Sequence, residues 1–276
     1  MLTLSSWRIA EGLDRDFFSI RCGDVTASTN EEIKIAARAG AREGLVCTAL
    51  EQRSGYGRQG RSWVSPQGGL YLSLLLTPEV EAAELPTLSL VVSLAVRQTL
   101  IDVGGGRDIS IKWPNDVMCP GGKLCGISLE TIGAAVCVGV GINVFRPARK
   151  QPVGGKHTPA YLCEAIAAAS GNCLPSSVSK EGLTLDQQRE LERIATALLN
   201  CIDLMYHRWL QTGFLGFVAA YNEHVLLAGS SVTIASVEGD IIASGIVESV
   251  DAAGRLCLRT AEGTLLPINS GEVHLL

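Results

Sequence analysis

Residues 53–76, RSGYGRQGRSWVSPQGGLYLSLLL, are the stretch on which the fold turns. Gly55, Gly57 and Gly60 fit G-x-G-x-x-G, the spacing of a dinucleotide-binding turn. That fingerprint needs a helix directly after the turn, with its N-terminus facing a pyrophosphate. Here the following residues contain Pro66 and Gly68-Gly69 and lead into GLYLSLLL, which has the pattern of a strand. With no helix where one is required, the Rossmann reading falls. The loop does carry Arg58 and Arg61 among its glycines. Open backbone N–H groups and forked arginine donors suit phosphate or carboxylate oxygens. A solvated hairpin with incidental arginines is the alternative on this stretch alone.

Working outward, DVTASTNEEIKIAARAG (24–40) reads as a polar turn entering a helix. Ser28 or Thr29 with Glu31 or Glu32 gives a capping-box pattern, and Gly40 is a stop. GLVCTALEQ (44–52) reads as a buried strand that delivers the chain to the loop, and GLYLSLLLT (69–77) as an alternating strand after it. Residues 85–101 have helical spacing. ISIKWPNDVMCPGGKLCGISLET (109–131) reads as strand, turn, hairpin and strand, with Pro114 closing the first strand and PGG (120–122) turning the hairpin. AAVCVGVGINV (134–144) is a further apolar strand, and an exposed edge there could support a homodimer. RPARKQPVGGKHTP (146–159) is a loop by composition, and helical patterns follow near 160–170, 185–210 and 212–223. Segments 146–159 and 171–190 look longer than a minimal core. From about residue 226 short β-rich runs are separated by EGD, DAAG and AEG, as in a small barrel. The expectation is an α+β fold, a mixed β-sheet flanked by helices over residues 1–225, with a small C-terminal β-barrel over 226–276.

The 276 residues are 47% hydrophobic, enough for one large domain and a smaller one. No run approaches the roughly 18–20 apolar residues of a spanning helix. LSLVVSLAVRQTL (88–100) is broken by Ser89, Ser93 and Arg97, and MLTLSSWRIAEGLDRD lacks the pattern of a signal peptide. A cytoplasmic protein with no membrane partner is expected. A net charge of −5 argues against a large nucleic-acid footprint. Nine cysteines (22, 47, 119, 125, 137, 163, 173, 201 and 257) form no C-x-x-C, and four histidines form no H-x-x-x-H. Free thiols in a reducing compartment, without a protein-held zinc, fit that set.

KWPND (112–116) and GKLCG (122–126) place two lysines and an aspartate around one turn and one hairpin. Trp113 could stack on a ring, Asp116 could orient a cation or an attacking amine, and Lys123 could neutralise a developing phosphate charge. Singly, each has a plainer reading: solvated lysines, a core tryptophan, an ordinary Asn115-Asp116 turn. Together with the arginine loop they point to one site.

Taken in order, ASTN (27–30), EQRSGYGRQGRSW (51–63), GLYLSLLL, KWPNDV, GKLCGISLE and VGVGINV make the sequence resemble the biotin–protein ligases, which biotinylate acyl-CoA carboxylases. The likeness is strong over residues 20–145 and looser over 210–276, where the run to GEVHLL is similar to the family's SH3-like domain. It implies a sheet of the class II aminoacyl-tRNA synthetase kind, with ATP and Mg²⁺ as cofactors and biotin as substrate. The carboxylate of biotin attacks the α-phosphate of ATP, and a lysine of a biotin carboxyl carrier domain then takes the biotinyl group from biotinyl-5′-AMP. By the same resemblance Ser28, Thr29 and Gln52 would bind the ureido end of biotin, with Asn30 nearby and Tyr56 and Gly57 at the loop. Arg58 and Arg61, with the Gly57 N–H, would close over the phosphate. Trp63, Lys112, Asn115 and Asn143 would face the adenylate, and Gly126 the biotin tail. Lys123, Arg58 and Asp116 would carry catalysis, Asp116 near the magnesium.

The sequence departs from the pattern at Tyr56 and Gln59, where members of the family often have arginine, which puts the contribution of position 56 in question. Some bacterial members carry an N-terminal DNA-binding domain. The two dozen or so residues before ASTN are too few for one, so a ligase without DNA binding is expected. The competing readings are a lipoate– or octanoate–protein ligase of the same fold, whose RRxSGGG loop is missing here, and a silent relative that only binds biotin or the carrier.

Overall fold

The structure, a computed structural model, describes residues 4–148, 158–171, 177–236 and 238–276. Most of the 146–159 loop, part of 171–190 and Cys173 therefore lie outside the described residues. Seven strands make one sheet: β1 (Ser19–Thr26), β2 (Leu45–Gln52), β3 (Gly69–Leu76), β4 (Ser110–Lys112), β5 (Asp116–Cys119), β6 (Gly122–Ile132) and β7 (Ala135–Asn143). Their order is β1-β2-β3-β7-β6-β5-β4. The helices are α1 (Ser6–Glu11), α2 (Thr29–Arg38), α3 (Leu85–Asp102), α4 (Leu162–Ser170), α5 (Leu185–Thr212) and α6 (Val218–Asn222).

Only β1 and β2 run parallel, because the chain between them crosses over through α2, whereas the other neighbours are antiparallel. The β5–β6 hairpin turns at Gly121, whose φ of 106° favours glycine. All eight residues of β3 are buried, so it does not alternate as its sequence suggested. The reason is that α2 covers one face of the sheet while α3 and α5 cover the other. Among the described residues α3 alone has the length and hydropathy to cross a bilayer, but 61% of it is buried in this core.

Two expectations change. Residues 134–144 are not an exposed edge: β7 lies between β3 and β6 and pairs with both, so the argument for a homodimer from that strand goes with it. An apolar run alone does not distinguish a central strand from an edge. The capping box at α2 also does not form. Ser28 is the N-cap without a side-chain cap bond, because Glu31 is taken up by Lys34 and Tyr56 and Glu32 accepts from Thr26. A capping box appears instead at α5, between Thr184 and Gln187.

The C-terminal strands β8 (Ser231–Ala235), β9 (Ile241–Val250), β10 (Leu256–Arg259), β11 (Leu265–Ile268) and β12 (Glu272–Leu275) form an antiparallel sheet ordered β11-β10-β9-β8-β12. Among the described residues β11 and β12 do not pair, so this is an open sheet rather than a closed barrel. It is tied to the larger unit where Trp113 Nε1 donates to Gly254 O at 3.0 Å and where Asn222 exchanges two hydrogen bonds with the Val250 backbone. Trp113 is therefore a buried joint between the two units that also borders the cavity.

The described cysteines are free. Burial pushes the thiols of Cys22 and Cys47 up to about 12, which keeps them unreactive near neutrality. Leu74 is completely buried at the centre of β3. Truncation to alanine is expected to cost about 2–5 kcal/mol, measured as a lowered midpoint in denaturant.

Candidate active site

Register across the sheet aligns small residues from separate strands. Tyr71 of β3 faces Gly141 of β7, Gly141 faces Gly126 of β6, and Gly126 faces Asp116 of β5, which faces Lys112 of β4. One step along, Ser73, Gly139 and Ser128 form a second row. Cross-strand partners share a face of the sheet, and residues two apart share it too. Both rows therefore leave a depression on the face that α2 covers, beyond the helix N-terminus at Thr29. It is a cavity of about 1500 Å³. Drug-sized ligands occupy roughly 300–1,000 Å³, so there is room for two ligands side by side.

The glycine-rich loop forms one wall as a small hairpin. Gly57 N–H donates to Arg61 O at 2.8 Å and Trp63 N–H to Gly55 O at 2.9 Å. Gln59 sits at φ 59°, in the left-handed region. Arg58 Nη1 donates to Asn115 Oδ1 at 2.9 Å, and Asn115 Nδ2 donates to Ile127 O at 2.6 Å, which joins loop, KWPND turn and β6. Burial lowers the pKa of the Arg58 guanidinium, and the charge of Asp116 opposes that shift. Arg61 reaches the C-terminal sheet, pairing with Glu272 and donating to Gln59 Oε1 at 2.9 Å.

On the opposite wall Lys123 Nζ lies 2.6 Å from Asp116 Oδ1 and 5.2 Å from the centroid of the Trp63 ring. Trp63 rests against Gly126 and Gly141, and its buried Nε1 has no hydrogen-bond partner among the described residues. Asn143 Nδ2 fixes the Lys123 backbone by donating to its carbonyl at 3.0 Å. At the far end Gln52 Oε1 accepts from Thr29 N at 2.8 Å, and Gln52 Nε2 donates to Ser65 Oγ at 2.9 Å.

The structure thus brings Thr29, Gln52, Tyr56, Gly57, Arg58, Arg61, Trp63, Lys112, Asn115, Asp116, Lys123, Gly126 and Asn143 to one cavity. Ser28 is different: it is buried as the N-cap residue and does not line the cavity. Asn30 is part of the floor, accepting from Ser73 Oγ and donating to Ser128 Oγ. The Gly57 N–H is occupied by the Arg61 carbonyl, so in this state it does not offer itself to a phosphate. Of the strand glycines the sequence pointed only to Gly126; it did not single out Gly139, Gly141, Ser73 and Ser128, or Glu272 and His274 from β12, which close one side. A lone glycine within an apolar run gives no hint of which strand it faces.

Two family models match the chain. The Biotin/lipoate A/B protein ligase family covers residues 22–143, and the biotin protein ligase C-terminal domain covers 228–276. The biotin–[acetyl-CoA-carboxylase] ligase of Paracoccus denitrificans is 34% identical over 86% of this chain and 93% of its own length. That of Mycobacterium tuberculosis is 30% identical, with 91% and 86% covered. The solved biotin protein ligase from Aquifex aeolicus in complex with biotin and ATP superposes with a TM-score of 0.73, at 26% identity over 95% of this chain and 99% of that one. Fold and site define a protein ligase of the biotin/lipoate class. The chain belongs to the biotin protein ligase family, the C-terminal match favouring the biotin branch over the lipoate one.

Alanine at either glycine probes the cavity floor. A Cβ on Gly141 would stand 2.6 Å from Trp63 Nε1, a movable side chain, whereas one on Gly139 would press on Asn30 and Ser128 within the buried floor. Gly139→Ala is expected to destabilise by about 1–3 kcal/mol. Gly141→Ala should leave the denaturation midpoint nearly unchanged and shift Trp63 fluorescence.

Proposed function

We propose that the chain attaches biotin to one lysine of a biotin carboxyl carrier domain of acetyl-CoA carboxylase, using ATP and passing through biotinyl-5′-AMP. The observation that carries this reading is the convergence of Lys123, Asp116 and Arg58 on a cavity large enough for biotin and a nucleotide together. The cytoplasm, with neither DNA nor membrane as partner, is the setting it assumes. Residues 1–225 form the catalytic unit and 226–276 the appended one.

In the first step a carboxylate oxygen of biotin forms a bond to the α-phosphorus, and the bond to pyrophosphate breaks. The Lys123 ammonium lies where negative charge would build on the carboxyl and phosphate oxygens, and Arg58 adds fixed positive charge from the loop. Preorganised cations in a shielded cavity are worth more than the same charges in water. In the second step the carrier lysine's amine attacks the acyl carbon, the bond to AMP breaks, and the amine loses a proton. Asp116 would hold that amine once Lys123 turns to phosphate, a role its pairing with the Lys123 ammonium supports.

Thr29 and Gln52 already bond each other at the closed end, and they are the donors and acceptors offered to the polar ureido ring. Gly126 and Gly141 leave width for the tail. Trp63, Asn143, Asn115 and Lys112 border the adenylate end. Among the described residues no three His, Cys, Asp or Glu side chains converge to hold a metal. Asp116, a carboxylate on the cavity wall, would be the protein ligand of a magnesium ion, which when bound would draw charge from the phosphate oxygens.

Incubation with ATP, Mg²⁺, labelled biotin and a carrier domain should label one acceptor lysine; label from lipoate instead, or none, would sink the proposal. Lys123→Ala is expected to slow adenylate formation by about 10²–10³-fold or more. Arg58→Gly should release biotinyl-AMP and label bystander lysines, an outcome that mass spectrometry of a mixed protein sample would read.

A further inference from the structure

Tyr56 stands where the loop of related ligases often has arginine, and the structure gives it a partner of its own. Its hydroxyl donates to Glu31 Oε1 at 2.6 Å, in the first turn of α2. One turn further on, Lys34 Nζ lies 2.6 Å from the same Glu31 oxygen and 3.0 Å from Glu130 Oε2 of β6, with its ammonium 5.2 Å from the centroid of the Tyr56 ring.

The bonds continue beyond this cluster. Asn30 Nδ2 donates to Glu130 Oε1 at 3.1 Å, Ser73 Oγ donates to Asn30 Oδ1 at 2.6 Å, and Thr29 Oγ1 is 2.7 Å from Ser73 Oγ. Thr29 then bonds Gln52, Gln52 bonds Ser65, and Ser65 Oγ donates to Trp63 O at 2.9 Å. The circuit leaves the loop at Tyr56, crosses α2, β6, β3 and β2, and returns to the loop at Trp63.

Solvated surface ion pairs contribute little, and Glu31 alone, with a side chain 43% exposed, would be one of them. Lys34 is not: its side chain is only 15% exposed and it is shared by two carboxylates. Burial and the bond to Glu31 push the Tyr56 phenol up, so it stays a donor. Burial opposes the Lys34 charge, but Glu31, Tyr56 and Glu130 more than offset it and raise its pKa.

The geometry points to the Tyr56–Glu31 pair as a latch that holds the glycine-rich loop against α2 before any ligand arrives. Its consequence rests on the ligase reading: by keeping Arg58 over the cavity, the latch slows escape of the acyl-adenylate in a loop that lacks arginine at 56 and 59. Tyr56 touches no reacting atom; it is a positioning residue acting through Arg58.

Limited trypsin digestion of the full chain, without biotin or ATP, tests the latch through cleavage after Arg58 and Arg61, read by mass spectrometry. Tyr56→Phe is expected to speed that cleavage about three- to tenfold, the range for one hydrogen bond to a charged, partly exposed partner. Cleavage elsewhere should not change. Glu31→Ala should give the same acceleration, and the double variant should be no faster than either single one, because each removes the same interaction. In turnover, Glu31→Ala, which lies outside the cavity lining, should form adenylate at the wild-type rate and release several-fold more of it. Equal loop cleavage in wild type and Tyr56→Phe overturns the latch, as does acceleration at all sites alike or additivity in the double variant. If the wild-type chain makes no adenylate, the ligase reading fails while the digestion still decides the latch.

Discussion

The constraint on which the site depends is the absence of side chains at the middle of a sheet otherwise buried on both faces. A seven-stranded sheet with helices on either side would fill its centre with Val, Ile and Leu, as it does on the α3–α5 face through Leu72, Leu74, Val138 and Val140. On the other face α2 packs over Cys47, Leu75 and Cys137 and ends at Thr29. Beyond that point register brings Gly139, Gly141 and Gly126 together with Ser73 and Ser128. The cavity is the volume those residues leave unfilled, and its polar floor is satisfied internally by Asn30 and the serines.

Charge is then supplied from the rim. Asp116 and Lys123 come from the two strands of one hairpin, so their separation is fixed by strand pairing and not by a flexible loop. Arg58 comes from the loop wall, and its bond to Asn115 ties that wall to the hairpin. On the ligase reading, the strand-borne half would polarise the reacting groups and the loop-borne half would keep them from water and from escape. The Arg61–Glu272 pair joins the loop to the C-terminal sheet, so the two units share the enclosure.

Much of this was legible in the sequence, for reasons that can be named. Pro66 and Gly68-Gly69 after the loop excluded a helix, and the structure has β3 there. That Lys123, Asp116 and Arg58 meet at one cavity could be anticipated because each sits in a short contiguous motif. Position 134–144 was misjudged as an edge because an apolar run looks the same at the centre of a sheet. Ser28 and Thr29 are adjacent in the sequence, and the structure buries the first as the N-cap of α2 and turns the second to the cavity. Apart from Gly126, the glycine and serine rows were invisible because they exist only after three strands are placed in register. The Tyr56–Glu31 bond was invisible for the same reason, since it spans 25 residues between the loop and α2.

The central claim is that this cavity joins a carboxylate to the α-phosphate of a nucleotide before any carrier takes part. Exchange of labelled pyrophosphate into ATP, measured with the chain, Mg²⁺ and no acceptor protein, addresses that step alone. Exchange that appears only when biotin is added, and not with lipoate, is the predicted result. No exchange with biotin, or exchange that does not need it, would contradict the account.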